Sequence, residues 1–338
     1  ALLKSVLKAI ENIVNATRDL KTMFAIGAPL RLDSFLFNCA VVIYRGKILG
    51  VAIKSYLPNY REYYEARHFK PASAALSKTI DICGQQDIPF GANLLFEAEN
   101  IPHLCFYFEI CEDLWVPVPP SSYAAMAGAS IISNLSASNI TIAKSEYRHQ
   151  LVSNQSARCI SAYLYTAAGP GESTTDLAWD GNAMIYENGL QLAEAERFKS
   201  PQVIYGEIDL DRLAQDRMRM NTFAENARDH KDLLQSFRKV KFTLETPRKR
   251  MMLSREFARF PYVPADPRKR DRRCYEAYNI QVQGLAKRLE SSGTRNAVIG
   301  VSGGLDSTHA LIVAARTMDL LGRPRSDVKA YTMPGFAT

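Results

Sequence analysis

The stretch VIGVSGGLDSTHALIVAA, which runs from Val298 to Ala315, indicates a strand, a glycine loop and a helix in succession. An apolar run comes first, two glycines flanked by serines follow, and the apolar spacing then changes to that of a helix. Gly303 and Gly304 allow the backbone to come close to a bound group, and main-chain N–H groups at a helix N-terminus suit an anionic pyrophosphate. An ordinary turn, in which Ser and Asp cap the helix, is the alternative interpretation.

The side chains of this loop narrow the kind of phosphate site that it can form. It contains no lysine, so the pattern GxxxxGK[ST] is absent, and GxGxxG is absent as well. Asp306 would repel a phosphate unless it also binds a metal ion, which favours a role as a Mg²⁺ ligand. The loop therefore predicts the beginning of a doubly wound α/β unit that binds a pyrophosphate group together with magnesium.

The composition is that of a chain with more than one domain and an ordinary hydrophobic core. It has 338 residues, of which 47% are hydrophobic, and a formal net charge of +7. No apolar run approaches the roughly 20 residues that cross a bilayer, and the N-terminus lacks the cleavage pattern of a signal peptide. The basic clusters at 248–250 and 268–273 are better interpreted as a solvated linker than as a nucleic-acid arm. We therefore expect small-molecule substrates, and neither nucleic acid nor a membrane as a partner.

Upstream of the glycine loop, the apolar spacing predicts mixed helices and strands without a repeat. The predicted elements are a helix over 2–14, a strand over 23–30 that ends at Gly27 and Pro29, a hairpin over 39–58 that turns at 45–47, a strand over 104–115, a helix and strand over 123–138, another such pair over 144–168, and a hairpin over 183–198. A basic, proline-rich linker follows over 246–273, and a helix over 274–293 precedes the glycine loop.

One of the six cysteines, Cys111, lies in the motif FEICEDLW at the predicted end of a strand and just before a loop. A thiol in this place can be exposed while its backbone stays rigid, as a nucleophile requires. A buried structural cysteine is the alternative, and it is the interpretation that we give to Cys105, six residues earlier. The cysteines form no CxxC pair, which disfavours zinc and thioredoxin-like sites.

Two motifs resemble known families. GVSGGLDSTHAL, residues 300–311, resembles the PP-loop of ATP pyrophosphatases and, among these, NAD synthetase. ICEDLWVP, residues 110–117, resembles the nucleophile motif of the nitrilase superfamily, whose members attack amides or nitriles through a cysteine assisted by a lysine and a glutamate. Lys54, at the end of the strand GVAIKSYLP, lies where that lysine belongs. The order of the motifs resembles the glutamine-dependent NAD(+) synthetase family, as do KSYLPNYREYYEARHF, ESTTDLAWDG and RFPYVPADP.

The resemblance implies roles for individual residues. Cys111 would be the nucleophile, and Lys54 would stabilise both its thiolate and the tetrahedral oxyanion. The implied glutamine-binding residues are Tyr60, Glu112, Ser138 and Lys144. Lys144 stands where the family has an arginine, and a lysine cannot make a bidentate fork to a carboxylate. The implied ATP-binding residues are Gly300, Val301, Ser302, Gly303, Gly304, Leu305, Asp306, Ser307 and Met333, with Mg²⁺ bound by Asp306.

For several other residues the sequence leaves two interpretations open. Glu65 is either an acid that supports Lys54 or the partner of a nearby arginine. Trp179 and Asp180 either form a packed turn or line the glutamine site, and Met333 either contacts adenine or belongs to the core. The histidines show no mutual spacing, and we assign none of them a catalytic role.

The family's general base is a glutamate on a strand before the first amphipathic helix, and this sequence begins on that helix. It also stops soon after the phosphate loop, so we expect a chain truncated at both ends that is not by itself a competent glutaminase. The predicted fold is α/β: a nitrilase-type αββα sandwich missing its first elements, followed by the start of a Rossmann-like PP-loop ATP pyrophosphatase domain. The predicted domains are 1–245, an N-terminally truncated glutaminase; 246–273, a linker; and 274–338, the N-terminal part of an NAD synthetase domain.

The resemblance implies an enzyme, a glutamine-hydrolysing ligase of cytoplasmic NAD biosynthesis. It would hydrolyse glutamine through a cysteine thioester and pass the ammonia inward. With ATP and Mg²⁺ it would adenylate deamido-NAD and amidate it to NAD, releasing AMP and pyrophosphate. The full-length form would be a homo-oligomer. A stand-alone nitrilase-type amidase, and an inactive fragment that acts only in assembly, are the alternatives.

Overall fold

The computed structural model describes residues 1–172, 177–199, 201–246, 252–255, 257, 259–260, 262–333 and 335. The chain divides into two compact units, Ala1–Arg255 and Glu256–Thr338. The first contains two β-sheets covered by helices, and the second contains two long helices and a small parallel sheet.

The strands of the first unit form two sheets. Their bounds are β1 Met23–Leu32, β2 Phe35–Tyr44, β3 Lys47–Ile53, β4 Thr79–Ile82, β5 Gln85–Gly91, β6 Leu94–Ala98, β7 Cys105–Ile110, β8 Ile131–Ser136, β9 Ala162–Ala167, β10 Ala183–Glu187, β11 Leu190–Glu194 and β12 Arg238–Phe242. One sheet has the strand order β1-β2-β3-β5-β4, and the other has the order β11-β10-β9-β8-β7-β6-β12. In the second sheet β7, β8 and β9 are parallel, so their carboxyl ends meet at one edge.

Helices cover the outer face of each sheet. Their bounds are α1 Leu2–Ala16, α2 Pro120–Met126, α3 Lys144–Cys159, α4 Leu210–Arg219, α5 Asn221–Asp229 and α6 Lys231–Leu234. Ile10 and Val14 of α1 pack on the first sheet, and Val152 of α3 packs on the second. Side chains from both sheets, such as Val42 and Phe96, form a third cluster between them. The layers therefore run helix, sheet, sheet, helix, which confirms the predicted αββα sandwich.

Strand β1 is longer than predicted, because it continues through Gly27 and Pro29 to Leu32. The prediction that it ends at these two residues is therefore wrong. β1 lies at an edge of its sheet and pairs only with β2 among the described strands. Proline cannot donate an N–H group to a neighbouring strand, but an edge strand has a side that requires no such donor. Alternating apolar residues alone could not have revealed that this strand lies at an edge.

Both predicted hairpins are present with their predicted turns. β2 and β3 are joined at Arg45 and Gly46, and β10 and β11 at Asn188 and Gly189. All four of these residues have a positive φ, as two-residue hairpin turns require. The sequence did not predict β4, β5, β6, β12 or the helices between Leu210 and Leu234, because the apolar runs in these segments are short and irregularly spaced.

The second unit contains α7 (Pro267–Ser292), β13 (Ala297–Gly300), α8 (Leu305–Leu320) and β14 (Val328–Tyr331). β13 and β14 are parallel, so the glycine loop and the residues that follow β14 leave the same edge. Helix α7 begins earlier than the predicted residue 274, because Pro267 suits the first turn and the Asp266 side chain accepts the N–H of Arg268. Among the described helices of the chain, none is long and apolar enough to cross a membrane.

Candidate active site

Cys111 lies at the carboxyl end of β7, where the strand gives way to a turn of 3-10 helix, Cys111–Leu114. Its φ is 49°, in the left-handed region that residues other than glycine rarely adopt. The side chain of Asn134 holds this conformation, because its Oδ1 accepts the Cys111 N–H at 3.0 Å and its Nδ2 donates to the Cys111 carbonyl at 3.4 Å. Cys111 is a free thiol with 8% exposure, which gives a rigid and nearly enclosed sulfur atom.

Asp113 connects this turn to the end of β3. Its buried carboxylate accepts the N–H of Ile110 at 3.0 Å, of Ser55 at 3.1 Å and of Tyr56 at 2.9 Å. Burial, reinforced by the charge of Glu109, raises the pKa of Asp113 to about 7, although the N–H donors act in the opposite direction. Because Ser55 and Tyr56 directly follow Lys54, Asp113 fixes the end of the lysine strand relative to the cysteine turn.

Lys54 is almost fully buried and forms an ion pair with Glu65. Asn38 donates its Nδ2 to the other oxygen of Glu65 at 2.7 Å, so the carboxylate is held on two sides. The structure therefore favours the interpretation in which Glu65 supports Lys54 over the one in which it pairs with a nearby arginine. A buried ammonium ion requires such a partner, because an unpaired charge is costly away from water.

Two adjoining cavities meet at Cys111. The first has a volume of about 550 Å³, and Lys54, Glu65, Cys111 and Trp179 are among the residues that line it. The second has a volume of about 480 Å³ and is also lined by Cys111. Cys111 therefore lines both the chamber that contains the Lys54–Glu65 pair and the second chamber.

The second cavity contains the four residues to which the resemblance assigns glutamine binding. The Tyr60 hydroxyl donates to Glu112 Oε1 at 2.8 Å, and burial, with help from Glu112, raises the pKa of Tyr60 to about 12. Lys144 Nζ lies 2.6 Å from Asn139 Oδ1 and 5.3 Å from the centre of the Trp115 ring. Burial, followed by repulsion from a neighbouring arginine, lowers the pKa of Lys144. Lys144 and Glu112 thus provide one positive and one negative group in the same chamber.

Ser138 is the fourth of these residues, and it is 1% exposed. Among the described residues, its Oγ meets no donor or acceptor at good hydrogen-bond geometry, and a polar neighbour, the hydroxyl of Tyr165, is likewise unpartnered. A buried hydroxyl without a partner costs free energy, so a polar group of a ligand in this cavity would satisfy it. The arrangement suits a zwitterionic amino acid, whose carboxylate and ammonium groups match the charges present.

The sequence analysis missed several residues that support this site. Glu109 is a buried residue of β7. It accepts the Ser121 N–H at 3.1 Å and the hydroxyl proton of Tyr163, and the Tyr163 oxygen accepts in turn from Asn134. Burial raises the pKa of Glu109. These partners are separated from one another by 12 to 54 positions in the chain, so local spacing gave no signal.

Arg148 and Asp180 are fully buried and form an ion pair at 3.0 Å. The sequence analysis gave Arg148 no role and left Asp180 open between a packed turn and the glutamine site. Asp180 is a packed residue, whereas its neighbour Trp179 lines the first cavity. The motif ESTTDLAWDG also includes residues 173–176, which lie outside the described part of the chain.

The glycine loop in the second unit is exposed to solvent. Gly303 has a φ of 83°, and an added Cβ there would meet no atom within 4 Å. No side chain caps the start of α8, so its first N–H groups are available to an anion. Gly300 and Met333 lie close together at the end of β13, since a Cβ on Gly300 would be 3.8 Å from Met333 Cε.

The predicted metal ligand, Asp306, is on the first turn of α8. Within the described ranges, no three His, Cys, Asp or Glu side chains come together as a metal site. Magnesium often binds proteins through one or two carboxylates and completes its coordination with substrate phosphates and water. A single exposed aspartate beside an open glycine loop fits that mode of binding, in which a bound phosphate would supply other ligands.

Known proteins resemble this chain in fold and in sequence. A glutamine-dependent NAD(+) synthetase from Cytophaga hutchinsonii has a TM-score of 0.51 at 21% identity, covering 93% of this chain and 42% of its own. A carbon-nitrogen hydrolase from Helicobacter pylori has a TM-score of 0.52 at 18% identity, covering 70% of this chain and 79% of its own. At these identities the likeness shows the fold, a nitrilase-type α/β sandwich.

Curated relatives are more similar in sequence. A protein of Mycobacterium tuberculosis named glutamine-dependent NAD(+) synthetase is 52% identical over 339 residues, covering 100% of this chain and 50% of its own length. A protein of Mycobacterium leprae with the same name is 53% identical over 338 residues, covering 100% and 49%. The chain thus spans about half the length of the curated relatives it matches. The pattern of the carbon-nitrogen hydrolase family matches residues 6–218, more than half of the chain, and the chain therefore belongs to that family.

Proposed function

We propose that this chain is the glutaminase part and the beginning of the synthetase part of a glutamine-dependent NAD(+) synthetase. The observation that carries the proposal is the position of Cys111, between a cavity with the Lys54–Glu65 ion pair and a cavity with Lys144 and Ser138. The first arrangement suits attack on an amide, and the second suits an amino acid. The names of the mycobacterial relatives support the same combination.

Glutamine would be bound in the second cavity through its α-amino acid end. Its carboxylate would approach Lys144 and the free hydroxyl of Ser138, and its ammonium group would approach Glu112, to which Tyr60 already donates. A lysine offers a point charge, whereas an arginine can donate two parallel hydrogen bonds to a carboxylate. A hydrogen bond from Ser138 would therefore be needed to orient the carboxylate of glutamine. The carboxamide would then lie at Cys111.

The chemistry at Cys111 would proceed through a thioester. The sulfur attacks the carboxamide carbon, the C–N bond breaks, and ammonia leaves with the proton of the thiol. Water then cleaves the thioester and releases glutamate. Lys54 lines the cavity with Cys111, and its positive charge would stabilise the thiolate and the oxyanion, while the ion pair with Glu65 holds that lysine in place. The covalent intermediate divides one difficult cleavage into two easier steps.

The glycine loop would bind ATP for the second reaction. The N–H groups at the start of α8 would hold the phosphates, Met333 would contact adenine, and Asp306 would hold Mg²⁺. When bound, the magnesium ion would neutralise charge on the pyrophosphate that leaves. Adenylation of deamido-NAD and attack by ammonia would give NAD, AMP and pyrophosphate. We further propose that the protein acts in the cytoplasm and as a homo-oligomer, as the family resemblance implies.

The experiment that tests this function compares nitrogen sources. The full-length protein, which contains this chain, is purified and given ATP, Mg²⁺ and deamido-NAD with either glutamine or an ammonium salt, and NAD and glutamate are measured. Formation of NAD from both sources, with glutamate released only from glutamine, is the expected result. Glutamate release without NAD from either source would favour a stand-alone amidase instead. Neither product would favour a chain that acts only in assembly.

A further inference from the structure

The side chain of Arg148 lies inside the protein, behind the second cavity. It is on helix α3, one turn after Lys144, and it is fully buried. Its Nη1 donates to Asp180 at 3.0 and 3.2 Å and to Asn182 Oδ1 at 3.1 Å. A buried charge is tolerated only when it is paired and hydrogen-bonded, and Asp180 provides the opposite charge.

The other terminal nitrogen of Arg148 holds the loop between β8 and α3. Nη2 donates to the carbonyl of Ser138 at 3.3 Å and more weakly to that of Asn139 at 3.5 Å. The guanidinium group is planar and rigid, so its attachment to Asp180 on one side fixes the direction of its bonds on the other. The main chain of Ser138 and Asn139 is therefore anchored to the buried ion pair.

The two anchored residues organise the polar side of the second cavity. Ser138 presents its unpartnered Oγ, and Asn139 Oδ1 accepts from Lys144 Nζ at 2.6 Å and from the Tyr63 hydroxyl at 2.5 Å. The Nδ2 of Asn139 donates to Glu62 Oε1 at 2.8 Å. A displacement of this loop would move the hydroxyl and the ammonium group together.

We infer that Arg148 is a positioning residue for glutamine, which acts through Ser138 and Asn139 without touching the substrate. This inference rests on the proposed function. Arg148 does not line either of the two cavities, whereas Ser138 and Lys144 line the second. Its effect is expected on the binding of the amino acid end of glutamine rather than on the reactivity of Cys111. Small displacements of a binding group, of about 1 Å, cost up to about 10²-fold in rate.

The test measures glutamate release by Arg148→Lys, Arg148→Met and the double variant Arg148→Met/Asp180→Leu, all made in the full-length protein, which is the parent. A lysine at position 148 keeps a positive charge for Asp180 but cannot also donate to the main-chain carbonyls of Ser138 and Asn139. The double variant removes both buried charges together. We expect all three to raise the KM for glutamine about tenfold to 10²-fold, with kcat within about threefold of the parent. Alkylation of Cys111 by iodoacetamide, which needs no glutamine site, is expected to keep its parental rate.

Arg217→Met is the matched control. Arg217 also donates to main-chain carbonyls, those of Ala129 at 2.6 Å, Cys159 at 3.0 Å and Ile160 at 3.1 Å, but it does not line either cavity or contact residues that do. It is expected to lower the melting temperature and leave the glutamine KM unchanged.

The outcomes distinguish a role of Arg148 in glutamine binding from a role in stability alone, and both from a failure of the proposed function. If Arg148→Met does not fold, the lysine variant and the double variant still decide the question. A parental KM in Arg148→Lys, or a KM that recovers with stability in the double variant, would overturn the inference. If the parent protein itself releases no glutamate, the proposed function fails instead.

Discussion

The side-chain amide of Asn134 hydrogen-bonds both main-chain groups of Cys111, its N–H at 3.0 Å and its carbonyl at 3.4 Å. Asn134 is at position four of β8 and completely buried, so it cannot follow a movement of the cysteine turn. The positive φ of Cys111 is therefore imposed by a neighbouring strand rather than by local sequence. A strained backbone conformation of this kind persists only when contacts with the surrounding structure hold it in place.

Replacement of Cys111 by glycine should be less destabilising than replacement by alanine. A residue with a Cβ pays about 1–2 kcal/mol in the left-handed region, whereas glycine does not, although glycine also loses more backbone entropy on folding. We expect the free energy of unfolding of Cys111→Gly to exceed that of Cys111→Ala by about 1 kcal/mol. Denaturant unfolding provides the measurement. The same pair at Cys105, the first residue of β7, should show the opposite order, and an identical order at both sites would contradict the strain.

Glu65→Gln should lower kcat for glutamine hydrolysis by about 10²-fold or more, a loss of the size seen for positioned acid–base groups. The neutral amide removes the ion-pair partner of the buried Lys54, so the ammonium group that would stabilise the thiolate is no longer held in place. Steady-state glutamate release measures the effect. Glu112→Gln is the control, and it should raise the glutamine KM with a smaller change in kcat. A kcat for Glu65→Gln within about threefold of the parent would exclude this role.

The affinity for glutamine should decline on the alkaline side below the pH at which an ordinary lysine titrates. Burial and the positive charge of Arg148 disfavour the ammonium form and lower the pKa of Lys144 from its ordinary value. As pH rises through this lowered pKa, Lys144 loses its charge and the glutamine KM rises, whereas below this pKa Lys144 is charged and adds no further pH dependence. Lys144→Arg stays charged and should shift this rise to higher pH. Because glutamine titrates identically in both experiments, superimposable KM profiles would contradict the assignment.

Asp306→Asn should greatly reduce pyrophosphate release with either nitrogen source and leave glutamate release able to proceed. The glycine loop contains no lysine, so a metal ion has to supply much of the positive charge on the phosphates. Pyrophosphate released from ATP in the presence of deamido-NAD is the quantity to follow. Asp319→Asn, at the far end of the same helix, is the control. Unchanged release by Asp306→Asn would remove this residue from the magnesium site.

The sequence predicted those elements whose signal is local. The hairpin turns at Gly46 and Gly189, the helix α3 and the strand before Cys111 follow from nearby residues. That strand ends at Ile110 and not at the predicted residue 115, because a turn of 3-10 helix begins at Cys111. The edge position of Pro29 could not be predicted, because it depends on which strands pair. The early start of α7 did have a local signal in Asp266 and Pro267, which the basic charge of the following residues obscured.

The residues of the candidate site also fall into those that local sequence could reveal and those that it could not. Cys111 and Lys54 could be identified from the motifs around them, whereas Asn134, Asp113 and Arg148 act on partners 23, 58 and 32 positions away. A buried carboxylate or guanidinium looks like any surface charge until its partners are known. Residues that hold a site in place thus become visible only in the folded chain.

The central claim is that Cys111 forms a thioester with glutamine, and the most direct measurement is the mass of the peptide that contains it. The full-length protein is mixed with glutamine, quenched in acid within the first turnover, digested and analysed by mass spectrometry, with Cys105 and Cys39 as internal controls. The account predicts one added glutamyl group on Cys111, none on the other two cysteines, and none after Cys111→Ala. Glutamate release without an adduct on Cys111, or an adduct that persists on another cysteine in Cys111→Ala, would contradict it.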